Sequence, residues 1–185
     1  MPIAAIVNDA FYCVHGGLSP SLQDLSEIET LIERPIPDIS CSIAADLLWS
    51  DPNPNSSIVF EKSNRGIGYL YNADAVSQFL EDNKLKCVVR AHEFCEKGYN
   101  WMNDDCITIF SSFDYMGKNN EAAIAIVNGT DISIITFSKE VAEMLITKRT
   151  LLPEWLLLSG SVMKKPAELI DILSDIGLDA PIVVL

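Results

Sequence analysis

The feature that most constrains the fold is a pair of apolar segments joined by Asn128-Gly129. Residues 122–127 and 132–137 have the composition of β-strands, and Asn-Gly supplies the positive φ that a tight hairpin turn requires. This pattern predicts an antiparallel hairpin. Three more β-like runs precede it, at residues 86–91, 98–102 and 106–111. We therefore expect the later part of the chain to be a meander of antiparallel strands.

The earlier part of the chain mixes strand and helix patterns. Residues 3–7 form a continuous apolar run typical of a buried strand, and residues 11–15 predict a second strand. Apolar residues recur at helical spacing over residues 22–32, and Asn72 is placed to cap a helix over residues 73–81. Shorter signals predict a helical piece at residues 42–49 and a long loop at residues 50–66. The whole pattern favours an α/β fold.

Charge and composition exclude several classes of function. The chain has 185 residues, 26 Asp+Glu against 13 Lys+Arg, and a net charge of −13. Nucleic acids and anionic membranes attract clustered Lys and Arg, so neither is an expected partner. No apolar run reaches the roughly 20 residues of a membrane span, and no secretory signal is evident. Five Cys residues without a CxxC pair are typical of reduced thiols in a cytoplasmic or nuclear protein.

The chain contains only two histidines, and each ends a predicted strand. Small residues follow His15 directly, as Gly16-Gly17, and His92 follows the run Val88-Val89-Arg90-Ala91. Strand ends of α/β proteins commonly carry binding sites, and a neutral imidazole is a good metal ligand. Both histidines are therefore candidate metal ligands. The alternative is that each is hydrogen-bonded within the core, and the glycine pair is equally explained by a simple turn.

Two further residues are candidates for phosphate chemistry. Arg65 lies in the predicted loop and carries a planar guanidinium that suits phosphate, although a single loop Arg is often only a solvated charge. Tyr115 follows a predicted strand and could donate to an anionic oxygen or simply pack against its neighbours. At a net charge of −13, an anionic substrate needs local positive charge, which metals and Arg65 would supply.

Taken in order, six segments closely resemble the phosphoprotein phosphatase family, the metal-dependent Ser/Thr protein phosphatases of the type-1, type-2A and calcineurin kind. The segments are Pro2-Ile-Ala-Ala-Ile-Val7, Cys13-Val-His-Gly-Gly-Leu-Ser-Pro20, Asp46-Leu-Leu-Trp-Ser-Asp-Pro52, Asn64-Arg-Gly-Ile-Gly68, Val89-Arg-Ala-His-Glu93 and Ile109-Phe-Ser-Ser-Phe-Asp-Tyr-Met-Gly117. The resemblance covers residues 2–138 and corresponds to the C-terminal half of the catalytic domain. It implies part of a metallophosphoesterase-type β-sandwich flanked by helices, with the N-terminal half missing.

The resemblance also implies roles for the candidate residues. His15 and His92 would bind one metal of a binuclear Mn, Fe or Zn centre, Arg65 would bind the substrate phosphate, and Tyr115 would lie beside the phosphate and the bridging solvent. Residues 46–52 would be mainly structural. The expected reaction is hydrolysis of a phosphoprotein by metal-activated water. A phosphoprotein substrate and a regulatory subunit are the implied partners.

This sequence lacks the family's G-D-x-H-G, G-D-x-V-D-R-G and G-N-H-E motifs, and with them the other metal ligands. Two imidazoles cannot hold a binuclear centre, because a catalytic metal usually has three or more protein ligands. We therefore expect an incomplete phosphatase with little activity as an isolated chain. The alternative is a non-catalytic pseudophosphatase or protein-interaction module. Residues 139–185 are expected to be a family-atypical C-terminal extension, with helices at 139–148 and 166–176 and a last strand at 182–185.

Overall fold

The chain divides into two structural units, described here from a computed structural model that covers residues 2–32, 35, 36, 39, 42–140 and 182–183. The first unit contains the described residues up to Cys95 together with Tyr99–Phe110. The second unit contains Glu96–Gly98 and the described residues from Ser111 onward. Within the described residues, no helix is long and apolar enough to span a bilayer.

The strands and helices follow one another in mixed order. The strands are β1 (Ala4–Val7), β2 (Phe11–Val14), β3 (Asp51–Pro52), β4 (Phe60–Lys62), β5 (Tyr69–Tyr71), β6 (Cys87–Arg90), β7 (Tyr99–Asn103), β8 (Cys106–Ile109), β9 (Ala122–Asn128), β10 (Asp131–Phe137) and β11 (Ile182–Val183). The helices are α1 (Ile28–Leu31), α2 (Ile43–Trp49) and α3 (Ala73–Asn83). The α/β class expected from the sequence is confirmed.

The main sheet of the first unit has the strand order β1-β2-β6-β8-β7. Its three central strands, β2, β6 and β8, run parallel to one another, while β1 and β7 are antiparallel edge strands. The predicted antiparallel meander is therefore wrong for this part of the chain. Each central strand is buried along its whole length, which is the pattern of parallel strands covered on both faces.

The first strand differs from its prediction in burial. β1 forms where it was expected, but it lies at the edge of the sheet and Ile6 is half exposed. A continuous apolar run therefore did not distinguish a core strand from an edge strand, because burial depends on what packs against the strand.

The segment predicted as a long loop contains part of a second, smaller sheet. Its strand order is β3-β5-β4, with β4 and β5 forming a hairpin around residues 63–68 and β3 running parallel to β5. The polar composition of residues 50–66 concealed these strands, because they are only two and three residues long. This small sheet positions two of the charged residues discussed below.

The helices agree with the sequence to different degrees. The helix predicted over residues 22–32 is confined to α1 and a preceding turn of 3₁₀ helix, Leu25–Glu27, because Ile32 already adopts an extended conformation. The helices at α2 and α3 are confirmed. The Asn72 side chain accepts a hydrogen bond from the Ala75 N–H at 3.1 Å, as expected of an N-cap residue.

The second unit contains the predicted hairpin. β9 and β10 pair in antiparallel register, with Asn128 opposite Asp131, so Gly129 and Thr130 are the two turn residues. The turn is thus shifted by one residue from the predicted Asn-Gly pair, and Gly129 supplies the positive φ of 58°. β11 pairs with β9, which confirms a strand at residues 182–183. The helices expected from residue 141 onward lie outside the described residues, and the domain boundary at residue 138 stays a prediction.

Candidate metal and phosphate site

The two histidines lie at the carboxyl ends of neighbouring parallel strands. His15 directly follows β2, and His92 follows β6 after one intervening residue. The strands are paired in register, with Cys13 opposite Val89, and the Ala91 N–H donates to the His15 carbonyl at 3.0 Å. Parallel strands end at the same edge of a sheet, so the topology brings together two residues that are 77 positions apart.

The imidazoles face each other across a short gap. His92 Nδ1 lies 3.2 Å from His15 Nε2, and the ring centroids are 5.0 Å apart in an edge-on arrangement. The Trp49 indole packs against the His92 ring at 5.2 Å between centroids. When both rings are neutral and hydrogen-bonded to each other, one of the two facing nitrogens donates its N–H and the other accepts. If a cation takes the place of that shared proton, both facing nitrogens present a lone pair to the cation.

The backbone at His92 is strained. His92 has a φ of 65°, in the left-handed region that a side chain bearing Cβ rarely adopts. The Glu93 N–H donates to the Ala91 carbonyl at 2.8 Å, which places His92 at the centre of a three-residue turn. A γ-turn with positive φ is rare, and such strain concentrates at functional sites. The strain therefore supports a functional position for His92.

The glycine pair after His15 serves a close backbone approach, but the approach is to protein. A Cβ at Gly16 would lie 2.4 Å from the Leu48 carbonyl carbon, and one at Gly17 would clash with the Tyr71 ring. Both glycine N–H groups point at the Leu47 carbonyl at the end of α2. The two glycines thus join the His15 segment closely to α2.

Arg65 lies in the β4–β5 hairpin loop, where the Ser63 N–H bonds the Gly68 carbonyl and closes the loop. Its Nε donates to Asp51 Oδ2 at 2.7 Å, and its side chain is 44% exposed. No described residue bonds the two terminal nitrogens of this guanidinium. Arg65 thus has one edge fixed by a carboxylate, while its terminal NH₂ groups remain available to an anion.

The electrostatics favour neutral imidazoles. Burial, followed by the positive charge of Arg90, lowers the pKa of His15 below its usual range, and nearby Asp51 partly opposes this. Burial also lowers the pKa of His92, to about 4, against the opposing effect of Asp51 and with help from Arg90, His15 and Arg65. A neutral imidazole is the form that binds a metal.

The structure adds two residues that the sequence analysis did not single out. Arg90 is fully buried at the end of β6, and Asp51 in β3 accepts from both Arg90 and Arg65. The sequence did carry a signal for Arg90, because this residue directly follows Val88-Val89 in a run that predicts a strand. An Arg that is fully buried in such a strand requires several partners. The expectation that residues 46–52 are mainly structural stays a prediction, although Asp51 lies directly against Arg65.

Tyr115 belongs to the second unit. It begins a short 3₁₀ turn, Tyr115–Gly117, and the residue is 43% exposed. The Asn120 side chain holds this loop, because it accepts from the Tyr115 N–H at 2.7 Å and donates to the Ser112 carbonyl at 2.6 Å. Asp114, a negative charge in the same loop, is paired with Lys139 at 2.6 Å.

Comparison with known proteins assigns the chain to a family. The family model for calcineurin-like phosphoesterases matches residues 1–96. The chain belongs to this family, in its phosphoprotein phosphatase branch. It is 39% identical over 131 residues to a protein phosphatase 2A catalytic subunit from Dictyostelium discoideum, an alignment that covers 69% of this chain and 41% of that protein.

A solved structure gives the same answer for the fold. The chain superposes with a TM-score of 0.65 on a protein serine/threonine phosphatase from Saccharomyces cerevisiae with similarity to human phosphatase PP5. The two are 26% identical, and the match covers 75% of this chain and 47% of the yeast chain. The metallophosphoesterase-type fold is thereby confirmed, and the chain spans less than half the length of either relative.

Members of this family use a metal centre. The two facing imidazole nitrogens are of the donor type that binds such metals. His92 Nε2 is buried and has no hydrogen-bond partner among the described residues. Folding therefore removes this nitrogen from water without a hydrogen bond to compensate for the lost hydration. The nitrogen that faces His15 is Nδ1, so a metal held between the two rings would leave Nε2 without a partner among the described residues. Among the described residues, however, no group of three or more His, Cys, Asp or Glu side chains could hold a metal.

Proposed function

We propose that this chain carries part of a Ser/Thr protein phosphatase catalytic domain, in which His15 and His92 bind one metal ion and Arg65 binds the phosphate of a phosphoprotein. The supporting observation is the 3.2 Å approach of His15 Nε2 to His92 Nδ1 at the ends of parallel strands. A metal bound there would polarise the phosphoryl group and lower the pKa of a bound water.

Each residue of the proposed site would have its own role in binding the metal or the phosphate. The two neutral imidazoles offer one lone pair each, and their lowered pKa values keep protons from competing with the cation near pH 7. Asp51 fixes the Nε edge of Arg65, which leaves its terminal NH₂ groups to bind phosphate oxygens. Tyr115 is the candidate that would lie beside the phosphate and the bridging solvent.

We also propose that the isolated chain hydrolyses phosphate esters poorly. Two imidazoles are fewer than the three or more protein ligands of most catalytic metals, and a binuclear Mn, Fe or Zn centre needs more still. We further propose that the protein binds a regulatory subunit and that it is located in the cytoplasm or the nucleus. The location is supported by the thiols of Cys13, Cys87, Cys95 and Cys106, all of which are free and buried.

The test measures hydrolysis of a small aryl phosphate with added Mn²⁺, beside binding of Mn²⁺ by the same sample. We expect Mn²⁺ binding that is lost in His92→Ala, together with activity near background. Robust activity that disappears in His92→Ala would contradict the low-activity proposal while supporting the metal site. Undetectable Mn²⁺ binding and activity, with tight capture of a specific partner protein, would favour the non-catalytic interaction module instead.

A further inference from the structure

The guanidinium of Arg90 contacts the segments that carry His15 and His92, and it also contacts the Asp51 carboxylate that holds Arg65. It is completely buried, and each of its nitrogens donates. Nε donates to the Gly16 carbonyl at 2.6 Å, NH1 to Glu93 at 2.9 Å and to Thr108 at 3.4 Å, and NH2 to the Ser50 carbonyl at 3.0 Å and to Asp51 at 2.8 Å. One planar group therefore joins four separate stretches of chain.

The three shortest of these contacts each lead to one of the three site residues of the first unit. Gly16 follows His15, and Glu93 follows His92. Asp51, the third acceptor, holds Arg65 through its other oxygen. Because the donors of a guanidinium lie in one plane at fixed angles, they set the relative positions of these acceptors. A flexible ammonium could match the charge but not these simultaneous directions.

The contact with Glu93 spans the strained turn at His92. The ion pair between Arg90 NH1 and Glu93 Oε2 closes the four-residue segment 90–93, which contains His92 with its φ of 65°. Strained backbone persists only where surrounding contacts over-determine it. The ion pair is partly exposed at Glu93, with 37% of that side chain accessible, and fully buried at Arg90. This pair is thus placed to keep His92 Nδ1 directed at His15.

We propose that Arg90 is a positioning residue that holds His15 and His92 facing each other and so sets the affinity of the metal site. Arg90 does not itself touch a metal or a phosphate in this role. The proposal rests on the proposed metal site, but it makes a separate claim about the metal-free chain. Replacing the Arg90 guanidinium should separate the two imidazoles even when no metal is present. Partners that orient metal ligands typically change metal affinity by about 10- to 100-fold.

The experiment uses proton NMR of the imidazoles, which are assignable because the chain has only two histidines. In the metal-free wild type we expect a through-space NOE between ring protons of His15 and His92. Added Mn²⁺ should broaden both sets of resonances at one common concentration. In Arg90→Lys the NOE should disappear, and half-broadening should require about 10-fold or more Mn²⁺, at a different concentration for each ring.

A matched control separates positioning from a general loss of stability. Val76 is fully buried in α3. Val76→Ala should lower the Tm but leave both the NOE and the Mn²⁺ concentration for broadening unchanged. If Arg90→Lys does not fold, Glu93→Ala, at the exposed end of the same pair, takes its place and should also lose the NOE.

The two proposals fail in different ways. A retained NOE and unchanged Mn²⁺ dependence in the folded Arg90 variant, or in Glu93→Ala if that variant replaces it, would overturn the positioning role. A wild-type NOE that Arg90→Lys abolishes, with no broadening of either ring by Mn²⁺, would support positioning and overturn the metal site. Equal losses in Val76→Ala would show that the effect follows from stability alone and would also overturn the positioning role.

Discussion

The turn at His92 in the first unit and the loop at Tyr115 in the second both contain left-handed residues, but different chemistry stabilises them. The His92 turn depends on a buried guanidinium with two carboxylate partners. The Tyr115 loop contains left-handed residues at Asp114 and Met116 and depends mainly on the neutral amide of Asn120.

The difference shows how far through the structure the effect of removing one side chain can extend. A buried charge cannot lose one partner cheaply, because the charges that remain are left in a poorly solvating interior. An amide that loses its partners leaves only uncharged groups unsatisfied. We therefore expect changes at Arg90 to affect the whole first unit and changes at Asn120 to stay within one loop.

The largest effect is expected for Arg90→Met. This substitution keeps an apolar stem but leaves Asp51 and the Gly16 carbonyl without their buried donor. We expect the free energy of unfolding of the first unit to fall by about 3–5 kcal/mol, measured by urea denaturation. The matched control is Arg65→Met, which removes the half-exposed partner of the same Asp51 and should cost about 1 kcal/mol or less. Equal losses in the two variants would contradict the comparison.

The next effect is expected for Gly16→Ala, which tests the joint between the His15 segment and α2. The added Cβ would meet the Leu48 carbonyl carbon at 2.4 Å, and backbone cannot move aside as a flexible side chain can. We expect a loss of about 3 kcal/mol of unfolding free energy, at the upper end of ordinary overpacking.

Gly117→Ala in the Tyr115 loop is the natural control for that substitution. Apart from Gly117 and its two chain neighbours, no described residue has a heavy atom within 4 Å of a Cβ at this position, so the positive φ of 74° is what opposes the change. About 1 kcal/mol is expected for this variant. A larger loss at Gly117 than at Gly16 would mean that steric contact is not what makes the joint sensitive.

A smaller, local effect is expected for Asn120→Ala. The buried amide accepts from the Tyr115 N–H and donates to the Ser112 and Glu121 carbonyls. Its removal should cost about 2 kcal/mol and speed amide hydrogen exchange at Tyr115. Asn55→Ala, at an exposed position, should change neither quantity. Faster exchange throughout β2 and β6 would show that the loop is not an independent element.

The smallest effect is expected for Asp114→Asn, a variant that also tolerates the left-handed backbone at this position. The Lys139 ammonium, followed by the Asn119 N–H, lowers the pKa of Asp114 below its ordinary 3.8. A lowered carboxyl pKa gives stability that is present above 3.8 and lost as the pH falls through the folded value. The wild type should therefore exceed Asp114→Asn slightly in urea midpoint at pH 7. The gap should close at strongly acid pH, and a gap that persists there would exclude the ion pair as its source.

Much of the fold and of the proposed site could be predicted from local pattern. Apolar runs located β2 and β6, apolar runs with Asn128-Gly129 between them located the β9–β10 hairpin, and Asn72 marked the start of α3. Both histidines were singled out as strand-end residues, and they do lie together. The parallel direction of β6 and β8 could not be predicted, because strand direction depends on which distant strand supplies the hydrogen bonds.

The ion pairs of Arg90 and Asp51 could not be predicted from the sequence for a related reason. Arg90 bonds residues 39 and 74 positions away, and no spacing rule connects residues at such distances. The short strands β3 and β4 were hidden by polar composition, although they carry Asp51 and lead into the Arg65 loop.

The amino-acid sequence by itself determined the α/β class, the family resemblance, and the two imidazoles and the arginine available for metal and phosphate chemistry. Only the tertiary structure decided that the imidazoles face each other at 3.2 Å and that a buried guanidinium sits behind them. The physical reason is that side-chain types and their local periodicity are properties of the chain. The direction of an imidazole and the partners of a buried charge are set by strands that meet only when the sheet forms.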